Sequence, residues 1–292
     1  MHWLKLIRLP TVFTAMADIF LGFLIVTGGA FVPIDKFLLL LGASSCLYFA
    51  GMVFNDVFDL KKDTAERPSR PIPSGAISLR AASTLGGILC IVGIALAACV
   101  STPSAVIAVL IVVAVFSYDW LLKKTPLAPV AMGSCRFLNV SLGASLAGTF
   151  SDVFSAPQLL LALGLGIYIA GLTWFARKEA VGENRFDLVG GSLLMLAACG
   201  GLLGIVASQP DRRMSVIYLL AFIAAVIASR LRRAVRSGLP PDIGSGIRTA
   251  LLSLVLIDAS LVLAFTGLIA PALATAALLI PASVIRRWIP LT

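Results

Sequence analysis

Long apolar runs separated by short polar segments repeat along the whole chain. A helix needs about 20 mostly apolar residues to cross a hydrocarbon core of about 30 Å, and these runs have that length. They lack the alternation of a barrel strand, and open β-structure cannot span lipid. The pattern predicts ten spanning helices, or nine if the last two form one, at residues 11–31, 36–57, 79–100, 104–122, 127–150, 157–177, 188–208, 214–231, 248–268 and 270–286.

Composition supports an integral membrane protein. Hydrophobic residues make up 59% of the chain and charged residues 13%, whereas soluble domains carry about 25% charge. The longest polar segments, 56–80 and 230–248, are too short for a soluble domain. The first apolar run exceeds the roughly 7 to 15 residues of a cleaved signal peptide, so we expect it to be retained. The predicted fold is all-α: one domain, residues 1–292, forming a polytopic transmembrane bundle of nine to ten helices.

The net charge of +9 is distributed unevenly between alternate loops. With ten spans, one side of the membrane receives most of the lysines and arginines, and the other receives only Lys36, Arg212 and Arg213. Basic loops of membrane proteins are usually cytoplasmic. The basic charge therefore indicates topology and a lipid bilayer, and no nucleic-acid partner is expected. The termini and four loops are predicted to be cytoplasmic: 58–78, 123–126, 178–187 and 232–247.

Cysteine and histidine exclude several kinds of chemistry. The five cysteines are scattered through apolar spans without C-x-x-C spacing, so neither a disulfide framework nor a zinc site is indicated. His2 is the single histidine and lies at the N-terminus. Histidine-based acid–base, triad or metal chemistry is therefore not expected.

A dense polar cluster, FNDVFDLKKDTAERPSRPIPSG, occupies residues 54–75 at the predicted cytoplasmic end of the second span. Asn55, Asp59 and Asp63 are four residues apart and would share one face of a helix, with Asp56 one step around. Carboxylates on one face repel each other unless a cation lies among them. Oxygen ligands without His or Cys suit Mg²⁺, which commonly binds one or two carboxylates together with substrate phosphates.

The residues that follow suggest what the metal would bind. Arg67 and Arg70 lie in stiff Arg-Pro contexts and can bind phosphate oxygens through two parallel hydrogen bonds. Magnesium together with arginine predicts a diphosphate site. Charges in a loop can also be merely solvated, and this alternative applies to Lys61, Lys62 and Glu66.

The motif N-D-x-x-D-x-x-x-D followed by R-P-x-R-P-I-P-S-G resembles the first aspartate-rich motif of the UbiA superfamily of intramembrane prenyltransferases. The resemblance implies a helical bundle that transfers an isoprenoid from its diphosphate to a lipophilic acceptor with Mg²⁺. By position it implies that Asn55, Asp59 and Asp63 hold the metal and diphosphate, with Asp56 also at the substrate. Arg67 and Arg70 would neutralise phosphate charge.

The second aspartate motif of that family, commonly D-x-x-x-D, ends its sixth span. The corresponding segment here is RKEAVGENR, in which Glu179 and Glu183 replace both aspartates at the same spacing and Arg185 follows them. The resemblance implies that these residues bind a second Mg²⁺ or the diphosphate. Arg177 and Lys178 are unexpected beside a metal site. The alternative is that the two glutamates only balance nearby cations.

Two further places fit the resemblance. The segment YDWLLKK ends the fourth span, where the family has a Tyr and a Lys near the diphosphate, so Tyr118 and Lys123 are candidates; a Tyr there can also be an interfacial anchor. Arg136, in MGSCRFLN, is a charge inside an apolar span and is a candidate substrate-binding residue. Its alternative role is to pair structurally with an acidic residue: Asp18, Asp119 or Asp258.

The sequence therefore predicts a UbiA-type prenyltransferase that uses a prenyl diphosphate donor, with its active-site loops on the cytoplasmic face. Two alternatives remain: a membrane transporter, since intramembrane charges can line a polar pathway, and a protein that binds lipid diphosphate without catalysis. The lipophilic acceptor is not identified. The run RPIPSG-AISLRAA is more similar to the chlorophyll and archaeal ether-lipid branches than to the hydroxybenzoate branch.

Overall fold

The computed structural model describes residues 2–177, 185–210 and 213–285, and every regular element within them is helical. This confirms the predicted all-α fold. Two short 3₁₀ turns, Leu9–Thr11 and Ser145–Ala147, and one π-helical turn, Ser117–Leu122, accompany the α-helices. The α-helices are α1 His2–Leu6, α2 Val12–Val26, α3 Ile34–Phe58, α4 Leu60–Glu66, α5 Leu79–Ala98, α6 Thr102–Phe116, α7 Ala128–Ala144, α8 Phe150–Val153, α9 Gln158–Phe175, α10 Arg185–Ala207, α11 Met214–Ser237, α12 Pro240–Thr266, α13 Ile269–Ala276 and α14 Leu279–Ile285.

Eight helical stretches of the described residues are long and apolar enough to cross a membrane. Two predicted spans are shorter than expected. The span predicted at 127–150 is the 17-residue helix α7, which ends in the 3₁₀ turn before Gly148, a glycine with φ of 85°. The last predicted span is an apolar stretch, Ile269–Ile285, made of the short helices α13 and α14. Within the described residues, each of the ten predicted runs thus contains helix.

The predicted polar loop at 232–247 is wrong in its extent, because most of it is helical. Helix α11 continues to Ser237, and α12 already begins at Pro240. Arginine is a good helix former, and Pro240 occupies the first turn, where its missing N–H is not needed. Gly238, with φ of 64°, separates the two helices in the left-handed conformation that glycine adopts at helix ends.

Close helix crossings hold α7 in the middle of the bundle. A Cβ added to Gly22 of α2 would clash with the carbonyl oxygen of Val140 on α7. One added to Gly133 of α7 would lie 2.6 Å from the carbonyl oxygen of Gly166 on α9. Small residues let membrane helices approach this closely. The polar residues on α7 are consequently packed between neighbouring helices.

Contacts between helix ends define two ends of the bundle. At one end, Lys36 Nζ donates to the Cys99 carbonyl oxygen at 2.5 Å, which joins the start of α3 to the end of α5. At the opposite end, α14 packs against the turn Leu9–Thr11. The chain therefore returns after α12 to the end of the bundle at which α2 begins, as the ten-span alternative requires.

Candidate active site

The three side chains predicted to bind metal, Asn55, Asp59 and Asp63, lie on one helical face. Helix α3 ends at Phe58 and α4 begins at Leu60, but the hydrogen-bond pattern continues across the junction. The Asp59 N–H donates to the Asn55 carbonyl oxygen at 3.0 Å, and the Asp63 N–H donates to that of Asp59 at 2.8 Å. Asn55, Asp59 and Asp63 therefore stack at successive turns, as the sequence predicted.

Two of these side chains contact the segment that follows α6. Asn55 Nδ2 donates to Asp119 Oδ1 at 2.8 Å. Lys123 Nζ donates to Asp59 Oδ2 at 2.5 Å and lies 3.9 Å from Asp119 Oδ1. The polar face of α3 and α4 and the end of the fourth span thus form one charged site.

A π-helical turn, Ser117–Leu122, positions the residues from the fourth span. The Lys123 N–H donates to the Tyr118 carbonyl oxygen, five residues back, at 2.8 Å. The wider turn brings Asp119 and Lys123 to the same side, and Lys123 Nζ lies 5.9 Å from the centre of the Tyr118 ring. π-Helical turns are rare and often occur at functional sites.

Arg70 connects two carboxylates of the cluster. Its NH1 atom lies 2.6 Å from Asp63 Oδ2 and 3.2 Å from Asp56 Oδ1. Asp56 Oδ1 also accepts from Arg8 NH2 at 2.9 Å, and Arg8 NH2 lies 3.4 Å from Asn55 Oδ1. Asp56, predicted to bind substrate, is 4% exposed and contacts both arginines, and these contacts favour a role in orienting the arginines.

The proline-rich loop after α4 is anchored by apolar contacts. Ile72 and Ile77 are buried in a small cluster with residues of α1, α3 and α5. Gly75, with φ of 76°, turns the chain between them. The Arg70 N–H donates to the Arg67 carbonyl oxygen at 3.1 Å. A loop packed in this way holds the Arg70 side chain toward the carboxylates.

The predicted site residues separate into four groups, of which the last contains Arg136 alone. The aspartate motif forms one site with three of the other predicted residues: Arg70, Tyr118 and Lys123. Arg67 is exposed, and its side chain makes no hydrogen bond or ion pair within the described ranges. Arg185 is an exposed residue at the first position of α10. Glu179 and Glu183 lie outside the described residues.

Arg136 lies in a different, deeply buried cluster. Its NH2 atom is 2.7 Å from Asp18 Oδ1 and 3.5 Å from Asp258 Oδ2, and both aspartates are fully buried. Asn139 Nδ2 donates to Asp18 Oδ2 at 2.8 Å. Of the two roles that the sequence left open for Arg136, these contacts favour the structural one, with Asp18 and Asp258 as the partners.

Sequence reasoning missed two residues of the site. Arg8 is one of the basic residues on the predicted cytoplasmic side, and its position directly before the first span is the cue in the sequence to a further role. Within the described residues it is the one non-glycine with positive φ, at 47°, and such backbone strain often marks a functional position. Asp119 is one of three possible partners of Arg136 in the sequence, and this pairing is wrong: the π-helical turn directs Asp119 to Asn55 and Lys123.

The donor atoms of the first motif suit magnesium chemically. Asp59 Oδ1 and Asp63 Oδ1 accept no hydrogen bond from the described residues, which leaves one oxygen of each carboxylate available to a cation. No group of three or more His, Cys, Asp or Glu side chains in the described ranges forms a metal cluster. Two carboxylates and an amide oxygen, completed by substrate and water, are nevertheless a typical magnesium environment.

Comparison with known proteins identifies the family. The sequence pattern of the UbiA prenyltransferase family matches residues 15–237, from the first spanning helix through α11. The chain belongs to this UbiA prenyltransferase family. It is a multi-pass integral membrane protein, and its apolar helices cross the bilayer.

Relatives of this UbiA family member are similar over part of its length. A digeranylgeranylglyceryl phosphate synthase of Sulfurisphaera tokodaii is 34% identical over 122 residues, which are 42% of this chain and 44% of that protein. The chain thus spans about half the length of the curated relatives that it matches.

Solved structures show the same fold over nearly the whole chain. A structure concerned with digeranylgeranylglyceryl phosphate synthase in membranes has a TM-score of 0.66 and 23% identity, covering 94% of this chain and 98% of that one. A UbiA homologue from Archaeoglobus fulgidus bound to GPP and Mg²⁺ has a TM-score of 0.61 and 14% identity, covering 95% and 100%. At these identities the likeness shows the fold alone.

Proposed function

We propose that this UbiA family member transfers an isoprenoid group from a prenyl diphosphate to a lipophilic acceptor. One observation carries the proposal: Asn55, Asp59 and Asp63 converge with Arg70 and Lys123 at one end of a membrane bundle. Oxygen ligands for a metal and cations for phosphate are thereby brought together. The names of the relatives and the ligands of the Archaeoglobus homologue support the same reaction.

The charges of the site indicate why a metal is needed. Four carboxylates, Asp56, Asp59, Asp63 and Asp119, face three cations that contact them, Arg8, Arg70 and Lys123, which leaves one excess negative charge. A diphosphate would add more negative charge beside these carboxylates. Asn55, Asp59 and Asp63 would hold Mg²⁺, and the bound ion would supply positive charge to the departing diphosphate.

The cations of the site would act on the leaving group. Arg70 and Lys123 would bind phosphate oxygens and stabilise the negative charge that develops as the allylic carbon–oxygen bond breaks. The bonding electrons leave with the diphosphate, and the acceptor attacks the carbon. The two arginine contacts of Asp56 keep Arg70 oriented. Arg67, exposed beside the loop, would neutralise phosphate charge at the rim.

The acceptor must lose a proton in the reaction. Among the described residues, Asp59 and Asp119 are the carboxylates of the site that contact no arginine. Asp59 is a proposed metal ligand, whereas Asp119 is not, and Asp119 is buried beside Asn55 and Lys123. Among the described residues, Asp119 is the best placed base for that proton. For the acceptor itself, the relatives' name supports testing a lipid that contains glyceryl phosphate first. The basic loops support placing the site on the cytoplasmic face.

The proposal is tested with purified protein, a radiolabelled prenyl diphosphate and a panel of lipophilic acceptors. We expect equimolar diphosphate and prenylated product, and we expect loss of both when a chelator removes Mg²⁺. A transporter would move substrate without cleaving it, and a non-catalytic binding protein would retain intact donor. Either result with every acceptor would contradict the proposal.

A further inference from the structure

The outward face of α11 changes character along its length. Leu220, Ile223 and Ile227 are buried against the bundle, whereas Tyr218 and Phe222, on the opposite side, are 66% and 67% exposed. A helix turns once every 3.6 residues, so residues 229, 232, 233, 236 and 237 continue the face of Tyr218 and Phe222. The outward face of α11 therefore carries aromatic side chains within the membrane and cationic side chains near the C-terminal end of the helix.

This arginine face consists of Arg232, Arg233 and Arg236. All three side chains are exposed and make no ion pair with the described part of the chain. Together with Ser229 and Ser237 they line a surface depression of about 560 Å³.

The arginine face lies at the depth of the lipid headgroups. At 1.5 Å per residue, it begins about 15 Å and ends about 21 Å along the helix from Phe222. The uncharged stretch of α11 runs from Met214 to Ser229 and has Phe222 near its middle. Half of a hydrocarbon core is about 15 Å thick, so the face reaches the interface at the arginines. Because the side chains point away from the bundle, they meet the headgroup region sideways.

General effects account for part of this arrangement. Cations near a helix C-terminus interact favourably with the helix dipole, and basic residues mark the cytoplasmic ends of spans. Neither effect requires three guanidinium groups and two hydroxyls to share one depression on the lipid-facing side. Clusters of four to eight Lys or Arg directly beside a spanning helix typically bind anionic lipids, and Arg230 beside this face completes such a cluster.

We propose that the arginine face of α11 binds the phosphate of anionic phospholipid headgroups. Guanidinium groups bind phosphate oxygens through two parallel hydrogen bonds, and the hydroxyls of Ser229 and Ser237 can donate further hydrogen bonds to headgroup oxygens. The site would fix the end of α11 at the membrane surface. It is separate from the proposed active site and does not depend on it.

The test compares lipid retention by variants in bilayer nanodiscs that contain phosphatidylcholine and phosphatidylglycerol. Native mass spectrometry counts the lipids of each kind that stay bound to the released protein. We expect the parent to retain phosphatidylglycerol preferentially, and Arg233→Gln with Arg236→Gln to lower this preference about 10- to 30-fold. Lys61→Gln with Lys62→Gln on α4 is the matched control, because it removes two exposed charges at the same end and should retain the preference.

Additional arms of the experiment separate headgroup binding from general effects of charge. Higher ionic strength should weaken the preference of the parent, since salt screens exposed charges. Equal retention of both lipids by the parent, or an equal loss in the lysine control, would overturn the proposal. Displacement of the lipid by inorganic phosphate at similar concentration would identify a site for free anions instead. If the double variant does not fold, Arg236→Gln alone must lower the preference by several-fold.

Discussion

Replacing Arg136 with Met should destabilise the bundle strongly. The substitution keeps a side chain of similar length but removes the cation that faces Asp18 and Asp258. Both carboxylates are fully buried, and they join α2 and α12 to α7. Without the guanidinium, two acidic groups would face each other in an apolar interior.

The magnitude follows from the burial of the cluster. Breaking a buried ion pair by removing one partner typically costs about 3–5 kcal/mol, because the remaining charge stays unpaired. Such a change lowers a melting temperature by an amount on the order of 10 °C. Asp258→Asn should cost about 1 kcal/mol or less, because Arg136 and Asp18 then form a balanced pair. This asymmetry arises because one cation serves two carboxylates.

Thermal unfolding in detergent, followed by the fluorescence of the native tryptophans, measures the effect. Turnover per folded molecule is measured in parallel below the melting temperature of each variant. A structural role predicts a large loss of stability with nearly normal turnover in the folded fraction. An Arg136→Met protein that is as stable as the parent but inactive would refute this reasoning and would support the substrate-binding role. Equal destabilisation by Asp258→Asn and Arg136→Met would also refute it.

Three further predictions address the site and the topology. Asp56→Asn should raise the KM for the donor about tenfold and change kcat less, because it removes the charge that orients two arginines. Steady-state kinetics measures both constants, and an unchanged KM would contradict the positioning role. Glu179→Gln and Glu183→Gln should each lower magnesium-dependent donor binding in equilibrium dialysis, whereas normal binding by both would assign the site to the first motif alone. In a cysteine-free background, Lys62→Cys should be labelled from the cytoplasm and Lys36→Cys from the other side, and the reverse pattern would reject the topology.

Short-range spacing is the part of the site that sequence reasoning predicts well. Asn55, Asp59 and Asp63 share a face because helical geometry depends only on the number of residues between them. The apolar runs likewise predict the spanning helices, because membrane thickness sets their length. Neither inference requires knowledge of what packs against the helix.

Contacts between distant segments could not be predicted in this way. Arg8 reaches Asp56 across 48 positions because the turn before α2 has an unusual backbone at that residue. The direction of Asp119 depends on a π-helical turn, which the spacing of apolar residues does not show. The sequence left three possible partners for Arg136, and the glycine contacts that draw α7 close to α2 bring Asp18 to it. Each of these features arises from packing in three dimensions.

In the proposed reaction, the first aspartate motif drives cleavage of a prenyl diphosphate. The most direct test of this role is the rate of diphosphate release by Asp59→Asn and Asp63→Asn, each purified as a folded protein, with Lys62→Gln as the control at the same end of the bundle. Loss of one ligand charge weakens the stabilisation of the leaving group, so we predict rates at least about 100-fold below the parent and a normal rate for the control. Release at the parental rate by either folded asparagine variant would contradict this role.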